Sequence, residues 1–99
     1  MIEFGNKASK SGRFNFRNFT PPESVIFYGK VVLSNLLELA PVDSGLIGTV
    51  SKVGEKFVCH VDLFFEDAHL VSDCESSDPM EAIQVSNHQL NAKLTKKLN

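Results

Sequence analysis

Two histidines and two aspartates, His60, Asp62, His69 and Asp73, crowd one short stretch of the chain, and imidazole with carboxylate is zinc-binding chemistry. Placed on opposed strands, His60 and Asp73 form an exposed pair worth a few tenths of a kcal/mol. That simpler reading is adopted, and no metal is expected. Cys59 and Cys74 form neither C-x-x-C nor a pair with a histidine on their own face, so they carry no redox or nucleophile signature. They read as reduced core thiols. Glu66 and Asp67 are adjacent carboxylates at a loop tip, where nothing desolvates either into a tuned acid or base. G-x-S-x-G, H-E-x-x-H and a phosphate-cradling glycine loop are all missing from the sequence. The chain is therefore expected to be no enzyme and to need no cofactor.

The basic residues offer a stronger chemical option. Arg13 and Arg17 stand in an early strand, Lys30 lies midway along the first helix, and Lys93, Lys96 and Lys97 follow helical spacing near the end of the chain. Such cations contact phosphates as point charges that sense shape more than sequence. Lysines near a helix C-terminus also complement its dipole, so three of them do not by themselves decide the matter.

These residues need elements to position them. Arg13 to Arg17 alternates, with Phe14 and Phe16 on one side and Arg13, Asn15 and Arg17 on the other, as a half-buried strand does. Thr20-Pro21-Pro22-Glu23 reads as a helix start with Thr20 as cap and Glu23 as its capping-box partner. The helix then runs to about Leu39, with Val25, Tyr28, Val32, Leu36 and Leu39 as its apolar stripe. Gly29 inside it signals close packing or a weak turn. Leu46 to Val53 reads as a strand, Gly54-Glu55 as a turn, and Lys56 to Phe65 with Ala68 to Cys74 as a hairpin around Glu66-Asp67. A two-residue loop sets Phe65 against Ala68, Leu63 against Leu70, Val61 against Ser72 and Cys59 against Cys74 on the core face. His60, opposite Asp73, falls on the wet face with Asp62, Phe64 and His69. Asp78-Pro79-Met80-Glu81 opens a last helix with Asp78 as cap, and Ile83, Leu90, Leu94 and Leu98 mark its inner stripe. Asn87 interrupts that stripe.

Strand, helix, three strands and helix make a two-layer α+β sandwich, a four-stranded sheet with both helices on one face, whose first two strands are parallel if they are neighbours. With 99 residues, 42% of them hydrophobic, the chain has room for one core. Residues 1–12, rich in Gly, Ser, Lys and Asn, are expected as a flexible tail, and residues 13–99 as the single domain. No apolar run reaches membrane-spanning length and no secretory signal opens the chain, so the cytoplasm is the expected compartment. The formal net charge is −2, yet residues 57–92 hold seven carboxylates and neither Lys nor Arg, between basic ends.

With these elements placed, the chain resembles the ribosome hibernation-promoting factor family, whose members are also called ribosome-associated inhibitors or sigma-54 modulation proteins. The resemblance runs from about Arg13 to Lys97. It rests on FNFRNFTPPESV entering the first helix, on SKVGEKFVCHVDLFFEDAHLVSDCESSDPMEAI through the hairpin into the second helix, and on the closing LNAKLTKK. It implies a β-α-β-β-β-α fold like a double-stranded-RNA-binding domain. It also implies a partner, the small ribosomal subunit, bound through rRNA in the channel used by mRNA and tRNA so that translation is inhibited under stress. Arg13, Arg17, Lys30, Lys93, Lys96 and Lys97 are the RNA-binding residues on this view, acting in a monomer without a small-molecule substrate. Val31, Val32 and Asn35 on the first helix, and Gln89, Ala92 and Thr95 on the second, stand where the family is usually basic. The dimerising domain that follows in long members is not represented in this sequence. The alternative is a diverged protein-interaction module of the same fold that uses its acidic hairpin face, with Phe64, and leaves the ribosome alone.

Overall fold

The computed structural model describes residues 2–5 and 10–98, in the order β1 (Ile2–Gly5), β2 (Ser11–Arg17), α1 (Glu23–Leu39), β3 (Gly45–Val53), β4 (Lys56–Phe65), β5 (Ala68–Ser76) and α2 (Pro79–Leu98). The five strands form one sheet in the order β1-β2-β3-β4-β5. β2 and β3 pair in parallel across the α1 crossover, and the other neighbours pair antiparallel. Both helices pack against the same side, giving the expected α+β sandwich with one addition. Ile2–Gly5, within the segment read as a tail, pairs with β2 as an edge strand, Phe4 opposite Gly12. Lys7 lies outside the described residues.

α1 starts two residues later than a Thr20 cap requires. Its N-cap is Pro22, with φ −64 and ψ 158, and no side chain caps it. The cause is local: Pro22 drives Pro21 out of helical backbone space, so the helix begins only after the second proline. The Pro22 carbonyl accepts from the Val25 and Ile26 amides at 3.0 and 3.2 Å. The buried face is Val25, Gly29, Val32, Leu33, Leu36 and Leu37. Gly29 is buried over the Phe14 ring, where a Cβ would lie at 3.6 Å, an ordinary van der Waals contact. Leu39, counted in the expected stripe, is the last residue of α1 and is 54% exposed.

The hairpin adopts the expected register throughout, from Phe57 opposite Ser76 to Phe65 opposite Ala68. Its two-residue turn holds Glu66 at φ 50, backbone that suits glycine better. The Asp78 carboxylate accepts from the Met80 amide at 3.0 Å and caps α2. Glu81 does not reach back to Asp78; instead Ser76 bridges them, its hydroxyl donating to Glu81 and accepting from the Asp78 amide. Leu98 is exposed because the helix outruns the sheet it covers. Asn87 is half-buried, and its Oδ1 has no hydrogen-bond partner among the described residues.

Ser72 occupies a core position opposite Val61, 2% exposed, and its hydroxyl is likewise unpartnered. Ser72→Ala is expected to raise stability by about 1 kcal/mol by removing a desolvated, unpaired group. A higher urea midpoint at unchanged slope would register the gain.

Candidate nucleic-acid interface

The structure brings Lys93, Lys96 and Lys97 together at the C-terminal end of α2. Steps of three and four residues place them as neighbours there, and the last turn gains dipole complementarity from Lys96 and Lys97. Lys93 is partly engaged already: its ammonium donates to the Val71 carbonyl on β5, an edge strand whose open backbone groups it covers. Lys96 and Lys97 remain exposed.

The other three cations lie elsewhere. Lys30 is exposed on α1, seven residues before Leu37 and hence on the same flank, and Leu37 packs over Gly12 of β2. Lys30 thus stands above the β2 side of the sheet and Lys93 above β5, three strand spacings or roughly 14 Å away. Arg13 and Arg17 alternate with buried Phe14 and project from the side of the sheet that carries no helix. Six cations therefore occupy three places on two sides of the molecule.

Between the lysines the helical layer is close to neutral. Glu23, Glu38 and Glu81 oppose Lys30, Lys93, Lys96 and Lys97, a balance of +1. The outward side of α1 presents Phe27 at 68% exposure with Val31 one turn on. The outward side of α2 is polar, with a shallow open depression lined by Asn87, His88, Asn91, Ala92 and Thr95, and by Lys96 as its one charged residue. Lys10, a tail cation that the sequence offers for RNA contact, has another role: its Nζ donates to the Leu37 carbonyl at 2.7 Å, capping a helix whose last turn has no basic residue. Its place in a tail-like segment concealed that role.

The second cluster lies on the open face of β4 and β5. His60 Nδ1 is 2.6 Å from Asp73, His60 Nε2 is 3.0 Å from Asp62, and His69 Nε2 is 2.8 Å from the other Asp62 oxygen. Each of these nitrogens thus faces a carboxylate, and among the described residues no His, Cys, Asp or Glu group of three or more has metal-site geometry. The rings of His69 and Phe64 stack at 4.3 Å. On the other side of the sheet Cys59 and Cys74 are free thiols, and burial pushes Cys59 up to about 12, which removes it as a nucleophile.

The hydrogen bond to Asp73 raises the His60 pKa above its ordinary 6.5; burial opposes it, and the nearby charges of Asp62 and Asp73 add to the rise. The protonated ring is the form favoured by folding. Its stabilisation is complete below about pH 6.5 and lost as pH rises through the raised value. With the side chain 43% exposed, the effect amounts to a few tenths of a kcal/mol. His60→Gln should flatten that part of the pH dependence in thermal melts, and an unaltered profile would show that the pairs contribute nothing.

No family model and no curated protein matches the chain. Solved structures do match it. The N-terminal domain of Thermus thermophilus Protein Y is similar at a TM-score of 0.73 and 16% identity, over 88% of this chain and 93% of that one. A ribosomal subunit interface protein from Coxiella burnetii is similar at a TM-score of 0.72 and 12% identity, over 87% of this chain and 94% of that one. The chain therefore has the α+β fold of the Protein Y N-terminal domain, the architecture that its resemblance to ribosome hibernation-promoting factors implies.

Proposed function

We propose that this protein is a cytoplasmic ribosome-associated stress factor. It lodges as a single domain against small-subunit rRNA and inhibits translation by occupancy, without catalysis. The observation that carries this reading is the fold, shared over 87% of the chain with a protein named for the ribosomal subunit interface. The six cations do not form the one continuous face that a single RNA landing pad would need, so they are assigned one side at a time. Lys30, Lys93, Lys96 and Lys97 serve RNA on the helical side, while Arg13 and Arg17 serve RNA on the reverse side. Cations on both sides suit a protein seated in an RNA-lined cleft better than one resting on a flat surface. Because most of this attraction is counterion release, binding must fall as salt rises.

Co-sedimentation with purified small subunits over a salt series tests the reading. Binding at low salt that weakens log-linearly with salt is expected; no binding at low salt, or binding indifferent to salt, would refute it. A second reading, a protein-interaction module, draws on Phe64, 42% exposed and stacked on His69 beside Asp62. Under it, Asp73→Lys with Glu75→Lys would abolish a partner recovered by pull-down while leaving subunit binding untouched. A pull-down unchanged by those substitutions would discard it.

A further inference from the structure

The helices cover one side of the sheet, and the charges on the bare side are laid out in an order that goes beyond ribosome binding. Strand registers align Arg17 of β2, Ser51 of β3, Val58 of β4 and Glu75 of β5 in one row. The next row on that side is Asn15, Thr49, His60 and Asp73. These two rows begin with a donor on β2 and end with a carboxylate on β5, whereas the two beyond them, Arg13-Ile47-Asp62-Val71 and Ser11-Gly45-Phe64-His69, end on Val71 and His69. The middle positions Ser51, Val58, Thr49 and His60 are half-buried, and both His60 nitrogens are already paired with Asp62 and Asp73. A half-buried centre with charge at the rim is the anatomy of a protein interface.

We propose that this bare face pairs two copies of the chain, sheet against sheet. A two-fold axis between the sheets, parallel to the strands and midway between β3 and β4, lays β2 of one copy over β5 of the other. Every row then faces its own row. Arg17 meets Glu75 of the second copy, and Asn15 meets Asp73, each contact occurring twice because the interface is isologous. An axis across the strands lays β2 over β2 and sets arginine against arginine, so the charge order selects one arrangement. Arg17 carries more of the pairing than Arg13, whose own row ends on the uncharged Val71 of β5.

Four strands about 4.8 Å apart and four rows about 6.8 Å apart give a face of roughly 500 Å² per copy. That lies at the low end of specific interfaces, so the dimer is weak and concentration-dependent. Its formation withdraws Arg13 and Arg17 from any RNA while leaving the lysines of α1 and α2 open.

Sedimentation equilibrium of the full chain, taken up to millimolar concentration, tests the pairing. The unaltered protein should pass from monomer to dimer, with an association constant about tenfold lower in high salt, where rim pairs are screened. Arg17→Glu and Glu75→Arg should each weaken association about tenfold, and the double variant should return to within about threefold of the original. Both positions are exposed, so folding is retained, and matching melting curves would verify it. A chain monomeric throughout, a dimer indifferent to salt, or a double variant no better than the singles would overturn the proposal. Association that survives both single reversals would overturn it too and assign self-contact to the Phe27 and Val31 patch on α1.

Discussion

Gly48→Ala is expected to destabilise this protein by about 2 to 3 kcal/mol, and Gly48→Val by more, although Gly48 lies in ordinary strand backbone. The reason is steric. A Cβ at Gly48 would lie 2.6 Å from Cε1 of Phe14 and 2.8 Å from Cδ1 and Cζ, closer than real contacts allow. The ring is held in the core: Phe14 is 1% exposed and stacks on Phe16 at 6.1 Å. Overpacking of a pinned ring displaces either β3 or the helix. The control is a double-mutant cycle with Phe14→Leu, which alone leaves a cavity but makes space for the new methyl group. Urea unfolding should show the pair at least 1 kcal/mol less damaging than the sum of the singles. A Gly48→Ala variant within about 0.5 kcal/mol of the original would mean that the core yields more readily than close packing permits.

The second large effect concerns binding. If the proposed ribosome association is right, Lys96→Glu with Lys97→Glu should lower subunit affinity about 40-fold or more at 0.1 M salt, and should reduce the salt slope by about 1.6. Each lost phosphate contact removes about 0.8 of a log unit per decade of salt, and reversal adds repulsion. These two lysines are the choice because both are exposed at the helix end, whereas Lys93 also holds the β5 edge through Val71. The fold should be indifferent, so near-identical melting curves are the companion measurement. Unchanged affinity and slope would remove the α2 cluster from the interface and leave Lys30 or the arginines to carry it.

Much of the architecture was legible because it is written in short-range patterns. Alternation about Phe14, the turn at Glu66-Asp67, and the Asp78-Pro79 start of α2 involve residues a few positions apart, whose pairing depends on side-chain period and local backbone chemistry. The start of α1 was misplaced for an equally local reason, the constraint of one proline on the preceding one. The buried face of α1 was harder to foresee. Gly29 sits over Phe14, so a residue without a side chain took a core position, while Leu39 at the helix end is exposed. Hydrophobic periodicity gives glycine no weight, and the signal was silent there.

By itself, then, the sequence determined the elements from β2 onward, the hairpin register, the wet face that unites His60 with Asp73, and the fold class, but not the edge strand β1. Only the tertiary structure decided how the cations are distributed. Arg13 and Arg17 belong to the bare side because Phe14 belongs to the core, while Lys30 and the α2 lysines lie with the helices on the other side. Whether residues far apart in sequence converge depends on strand order and on which side of the sheet is covered, two properties set by burying apolar area over the whole chain. A local pattern can say that a residue points away from its neighbours, but not what stands on the side to which it points.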